Sequence, residues 1–275
     1  MLPRRSLVCA LPLACLALAP AQDVVLERYD VQGQPAARHT LPSNLREISG
    51  LAVSPEGRLF AHDDESAEIS EIDPATGKRL RRFGPGRLTV QGDFEGLAIA
   101  EGRLFIIASD GTLLEFSPAA DGARSEYLRH QTGLGRVCDV EGLAHDARSR
   151  ALLALCKTMY RGGPPGIYAF DLQTRQLQPS PRFAVRLPSG ESLNPSGLAV
   201  HAATGHLVLV AASQRLVVEL DRSGNVVATQ KLDRRRHPQA EGIEFLQDGT
   251  LVISDEAPRG RPHLTLYAPV RQSAP

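Results

Sequence analysis

Short apolar runs bounded by turn residues set the rhythm of this chain. Leu104-Phe105-Ile106-Ile107 and Leu251-Val252-Ile253 are rich in β-forming residues, as are Ile167-Tyr168-Ala169-Phe170 and Leu216-Val217-Val218-Glu219-Leu220. Between such runs stand Ser54-Pro55-Glu56-Gly57, Asp73-Pro74-Ala75-Thr76-Gly77 and Asp221-Arg222-Ser223-Gly224. Their Asp and Gly supply the side-chain hydrogen bond and the positive φ that a tight reversal needs. The pattern is that of strands joined by turns, repeated to the end of the chain.

One phrase recurs within it. Ile48-Ser49-Gly50-Leu51-Ala52, Phe94-Glu95-Gly96-Leu97-Ala98, Val140-Glu141-Gly142-Leu143-Ala144, Pro195-Ser196-Gly197-Leu198-Ala199 and Ala240-Glu241-Gly242-Ile243-Glu244 are five versions of one pattern. Their glycines lie 46, 46, 55 and 45 residues apart, the period of a β-propeller blade. Each unit reads as the phrase, a turn, two apolar strands and a more polar fourth. The expected fold is therefore all-β, a propeller of five blades with four antiparallel strands each, six blades being the alternative.

Alternation along a strand puts Gly96 and Ala98 on one face and Glu95, Leu97 and Ile99 on the other. Small residues at these positions suit an innermost strand, where blades converge. Glu244 replaces Ala in the last unit, and nothing in the pattern accounts for it. Tyr29-Asp30-Val31-Gln32-Gly33 mimics Leu220-Asp221-Arg222-Ser223-Gly224, so residues 24–41 are expected to add outer strands to the C-terminal blade and close the ring. The segment 263–267 also reads as a third strand, which leaves one strand too many.

Composition narrows the function classes. The chain has 275 residues, 42% hydrophobic and 23% charged, with zero formal net charge, which gives no reason to expect a nucleic-acid partner. It has no Trp, which argues against the WD40 class of propeller. Arg4-Arg5, an apolar run over 7–18 and Ala19-Pro20-Ala21 predict a signal peptide over 1–21 and a single mature domain over 22–275, without a transmembrane segment. The expected location is periplasmic or secreted; the alternative is a lipoprotein anchored through Cys15, although Pro12 stands where a lipobox needs Leu. Beyond this segment only Cys138 and Cys156 remain, on two strands that fold about a turn near 146–150. They are read as a disulfide suited to an oxidising compartment, the alternative being two buried thiols.

The candidate chemistry lies where each phrase begins. The positions three and one before the glycines are Glu47 and Ser49, Asp93 and Glu95, Asp139 and Glu141, Asn194 and Ser196, Gln239 and Glu241. On innermost strands they would ring the mouth of the axial channel. Carboxylates crowded together repel unless protonated or neutralised, and an all-oxygen donor set suits Ca²⁺. Antiparallel pairing brings the ends of the second strands to the same face, adding Asp63, Asp64, Asp110, Asp255 and Glu256 as a second acidic set. Lys157 is the mouth's expected cation and His62 its titrating base, which makes them the candidate catalytic residues. The alternative is that these acids only fix loops through backbone hydrogen bonds. Arg234-Arg235-Arg236-His237 reads as a solvated loop.

Asp93-Phe94-Glu95-Gly96-Leu97-Ala98 and the stretch from Cys138 to Lys157 resemble the SdiA-regulated, YjiK-like family of exported bacterial propellers. More distantly, the E-G-[L/I] and S-D-E phrases are similar to those of esterase-like phytase propellers. The resemblance implies a calcium-binding mouth on Glu95, Glu141 and Glu241, with Asp93 and Asp139 nearby, whereas Ser49 and Ser196 stand where the other units have Glu. The expected function is an exported, monomeric, calcium-binding module that recognises a small-molecule or protein ligand at the mouth. The alternative is a metal-dependent hydrolase of phosphate esters or lactones; no G-x-S-x-G nucleophile motif is present.

Overall fold

The computed structural model describes residues 23–257 and 259–270. The segment read as a signal peptide, with Cys15, lies outside the described residues. The described chain is almost entirely strand and turn and forms five sheets, antiparallel except where Arg124–Ser125 pairs parallel to the outer strand of the first. The innermost strand of each carries a phrase: Ile48–Val53, Phe94–Ala100, Cys138–Asp146, Gly197–Val200 and Ala240–Phe245. These five strands touch in succession and the fifth touches the first, so the ring closes with five blades. Ring closure leaves no open edge between blades.

The surplus strand is resolved in the last blade. Its order runs Ala240–Phe245, Leu251–Asp255, His263–Tyr267 and then Ala37–Thr40, with Thr40 opposite His263. The N-terminal region thus gives this blade one strand. Upstream of it, Leu26–Arg28 is a 3-10 turn, because Glu219 accepts hydrogen bonds from the backbone N–H groups of Val25 and Leu26, both at 2.8 Å.

Most of the core lies between neighbouring blades. Phe60 and Phe83 of the first blade pack with Leu104, Ile106 and Phe116 of the second, and the two phenyl rings meet edge to face at 6.2 Å. Three third strands also bury a glutamate, namely Glu71, Glu115 and Glu219. A buried carboxylate needs partners. Glu71 is clamped by Arg58 and Arg81; Glu115 meets Arg103 at 2.8 Å, His130 at 2.9 Å and Arg175 at 3.2 Å. These acids fasten the blades and have no part in the mouth.

The loop read as solvated is exposed at Arg234 and Arg235, but its second half is a fastening too. His237 is buried, with Nδ1 2.8 Å from Asp255 Oδ2 and Nε2 2.7 Å from the Tyr267 hydroxyl. Arg236 donates to the carbonyl of Gly33 at 2.6 Å. Arg236 and His237 thus serve backbone oxygens and one buried acid that would otherwise lack donors.

Cys138 and Cys156 form a disulfide with their Cα atoms 5.6 Å apart. It ties the start of an inner strand to its hairpin partner. Reduction is expected to cost about 2–4 kcal/mol, the contribution typical of a native bridge. Thermal melts with and without reductant test this, and coincident curves would contradict it.

Candidate functional site

The phrase folds as a bulged strand. Pairing registers shift between Ile48 and Leu51, Phe94 and Gly96, Val140 and Gly142, and Ala240 and Ile243. A bulge leaves residues unpaired and re-aims their side chains, here Ser49, Glu95, Glu141 and Glu241. Close approach explains the glycine that follows. A methyl group on Gly96 would lie 2.4 Å from the Leu143 nitrogen of the next blade, and one on Gly197 would lie 2.1 Å from the Glu241 carbonyl oxygen.

Packing this tight nearly fills the axis. The space enclosed by the five phrases is about 10 Å³, room for about one water. The mouth is therefore a cup closed at its base. Glu244 lies beyond the block, in the wall of a cavity of about 580 Å³ on the opposite face. Enclosure there pushes its carboxyl up to about 8, and Oε1 accepts the N–H of Phe245 at 2.8 Å.

Backbone pairing brings the two acidic sets into register. The N–H of Asp64 donates to the Glu47 carbonyl at 3.0 Å, that of Ser109 to Asp93 at 2.8 Å and that of Glu256 to Gln239 at 3.0 Å. In the first blade, carboxylate oxygens of Glu47, Asp63 and Asp64 lie within 4.8 Å of one another. Asp63 also accepts the N–H groups of Glu47 at 3.2 Å and Glu65 at 3.4 Å. Asp64 Oδ1 is buried without a hydrogen-bond partner.

The remaining mouth residues complete the cup. Glu95 Oε2 accepts from the Ser49 hydroxyl at 2.8 Å, Asp93 from Ser109 at 2.6 Å, and Glu141 pairs with the Lys157 ammonium at 2.9 Å. Burial pushes the Glu95 carboxyl up to about 9, reinforced by the charge of Glu141. Burial, with Glu256 and then Glu141 nearby, takes Glu241 to about 8. Burial and the neighbouring charges of Asp64 and Glu47 take Glu256 to about 7, and burial with Asp63 takes Asp64 to about 6. Asp139 and Glu141 are raised mainly by burial, against the pull of Lys157. Without a cation, the crowd is relieved by holding protons.

Two expected members stand apart, and a third, Asp110, lies in an exposed turn. Asp255 is fully buried against His237, Asp110 caps a turn by accepting the Thr112 N–H at 2.8 Å, and His62 is buried behind Gly50. Burial lowers His62 to about 4, so it is neutral at neutral pH, and its Nε2 has no partner. Alternation along the strand explains the place of Asp255: it and Ser254 are adjacent and face opposite ways, and the residue facing the ring is Ser254, whose hydroxyl accepts the Gly242 N–H at 3.0 Å. The fourth blade brings no carboxylate, because Ser196 donates to the Ala240 carbonyl at 2.7 Å and Asn194 is exposed.

The Glu47, Asp63 and Asp64 group is hard, all-oxygen and partly orphaned, and could hold a metal ion. Among the described residues no helix is long and apolar enough to cross a membrane. The disulfide suits an exported protein.

The same architecture occurs in solved proteins of low identity. A glutaminyl cyclase from Myxococcus xanthus superposes with a TM-score of 0.62 at 15% identity, over 85% of this chain and 94% of that one. A luciferin-regenerating enzyme gives 0.55 at 10% identity, over 86% and 96%. A PQQ-bound aldose sugar dehydrogenase from Streptomyces coelicolor gives 0.53 at 14% identity, over 85% and 97%. At such identities the likeness is one of fold. Sequence says more, for residues 22–259 match the SdiA-regulated family and this chain belongs to that family.

Proposed function

We propose that this protein is an exported calcium-binding propeller whose acidic mouth is a recognition face. The observation that carries this reading is the carboxylate group of Glu47, Asp63 and Asp64, within 4.8 Å, with Asp64 Oδ1 buried and unpartnered. These three would hold the cation, with Asp93, Glu95, Glu141, Glu241 and Glu256 supplying further negative charge around it. A cation bound there would neutralise the crowd and offer open positions to an oxygen ligand. The fixed, bulged inner strands would keep that surface rigid.

Metal-dependent hydrolysis of phosphate esters or lactones is the second reading. Glu256 favours it, since a carboxyl raised to about 7 at a mouth is suited to moving protons near neutral pH. His62 is too enclosed to serve as that base, and Lys157 is engaged with Glu141. Lys157 would then position an anion.

Calorimetric titration with Ca²⁺ tests the first reading. Saturable binding is expected in the wild type, with affinity lowered at least about tenfold, or about 1.4 kcal/mol, in the double variant Glu47→Gln with Asp64→Asn. No heat of binding in the wild type would overturn it.

A further inference from the structure

The longest interval of the repeat has a structural consequence beside the mouth. Gly142 and Gly197 are 55 residues apart, against 45 or 46 elsewhere. The interval includes the loops over 160–165 and 186–194, which frame a groove of about 600 Å³. Lys157 and Asn194, both at mouth positions, line it, so the groove is continuous with the cup. Its walls include Met159, Pro164, Leu187 and Leu193. A volume of this size matches a small molecule.

Charge chooses the kind of molecule. The groove is lined by two cations, Lys157 and Arg186, and one acid, Glu191, which accepts from the Ser189 hydroxyl at 3.2 Å. It opens on the sector of the mouth where the fourth blade carries Asn194 and Ser196 in place of acids. An ammonium has three donors, and Lys157 shows one hydrogen bond among the described residues, to Glu141. Donors therefore remain for an acceptor arriving along the groove, while an arriving cation would meet Lys157 and Arg186.

We infer that this groove holds the body of the mouth's ligand, a small organic anion whose phosphate or carboxylate head meets Lys157 while its apolar tail lies along Met159 and Pro164. The inference deepens the reading of the mouth as a recognition face and rests on it. A head group at Lys157 would also lie beside the acidic cup, where a bound cation would share it.

Met159 is a built-in reporter, since the chain has one other methionine, Met1. Protein carrying ¹³C-methyl methionine, with the Met159 signal assigned through Met159→Leu, is titrated in calcium with hexanoate, hexyl phosphate, hexanol and hexylamine. At least one anion is expected to shift that signal saturably and to bind at least about tenfold more tightly than the alcohol or the amine. The tighter anion identifies the head group. Lys157→Gln should remove the preference for anions, and Thr158→Glu, at an exposed groove position, should weaken both anions without disturbing the fold. Equal binding of the alcohol or amine, or no shift with either anion while calorimetry still shows calcium binding, would overturn the groove inference alone. Shifts that persist in chelator, with no calcium binding, would overturn the metal reading and leave the groove.

Discussion

Gly197→Ala is expected to lower the melting temperature by roughly 6–12 °C, since overpacking a site that cannot yield costs about 3 kcal/mol and each kcal/mol is worth about 2–4 °C in a domain of this order of size. The added methyl would lie 2.1 Å from the Glu241 carbonyl oxygen. That oxygen belongs to the inner strand of the next blade, so no side-chain rotation can relieve the clash. Gly96→Ala should behave alike, with the Leu143 nitrogen at 2.4 Å. Gly142→Ala is the control: its nearest neighbour is the Leu155 Cβ at 3.4 Å, and its loss should be much smaller. Equal melting of all three variants would mean that the ring has slack at the axis. The same comparison separates the need for space from the need for glycine as such.

Without calcium, stability should fall as pH rises from about 7 to about 9, above the range in which the lowered histidines His62, His145, His201 and His263 act in the opposite sense, and calcium should flatten the fall. The folded mouth raises Asp64 to about 6, Glu256 to about 7, Glu241 to about 8 and Glu95 to about 9. The unfolded chain has ordinary carboxyls, so across this window the folded mouth holds protons that the unfolded chain has lost. Its advantage is therefore full at acid pH and lost as the mouth ionises. Binding of a cation to the ionised mouth would return about 2.7 kcal/mol at 100 times its dissociation constant. Replacing Glu95 and Glu141 by Gln should reduce the slope in chelator, and the metal-free variant should be no less stable than the metal-free wild type. Melting curves across pH, in chelator and in millimolar calcium, decide this. A chelated wild type whose stability rises over the window, or one that calcium leaves unchanged at its alkaline end, would contradict the expectation.

The fold was legible because a propeller repeats its instructions. Five phrases at near-constant spacing count the blades, and the two cysteines flanking the third phrase mark its hairpin. That the strand ends carrying Glu47 and Asp64, Asp93 and Ser109, and Gln239 and Glu256 meet was also legible, since antiparallel pairing fixes which strand ends share a face. Strand-end position alone over-assigned. It put Asp255 at the mouth with Glu256, although adjacent strand residues face opposite ways and Asp255 turns toward His237. Similarly, the run Arg234-Arg235-Arg236-His237 looked solvated throughout, and only its exposed first half is, because a charge run carries no sign of what lies over it. Its partners, Gly33 and Asp255, are distant in sequence.

Local sequence thus determined the blade number, the strands, the turn residues and the ring of acids, since these follow from short-range periodicity and from steric demands repeated in each unit. Tertiary structure alone decided that the axis is closed, that Glu71, Glu115 and Glu219 are fastenings, and that Glu47, Asp63 and Asp64 gather in one blade while the fourth blade opens into a groove. The physical reason is range. A strand's face is set by the residues within it, but the charge, burial and free volume around a side chain are set by neighbours that the closed ring brings from other blades.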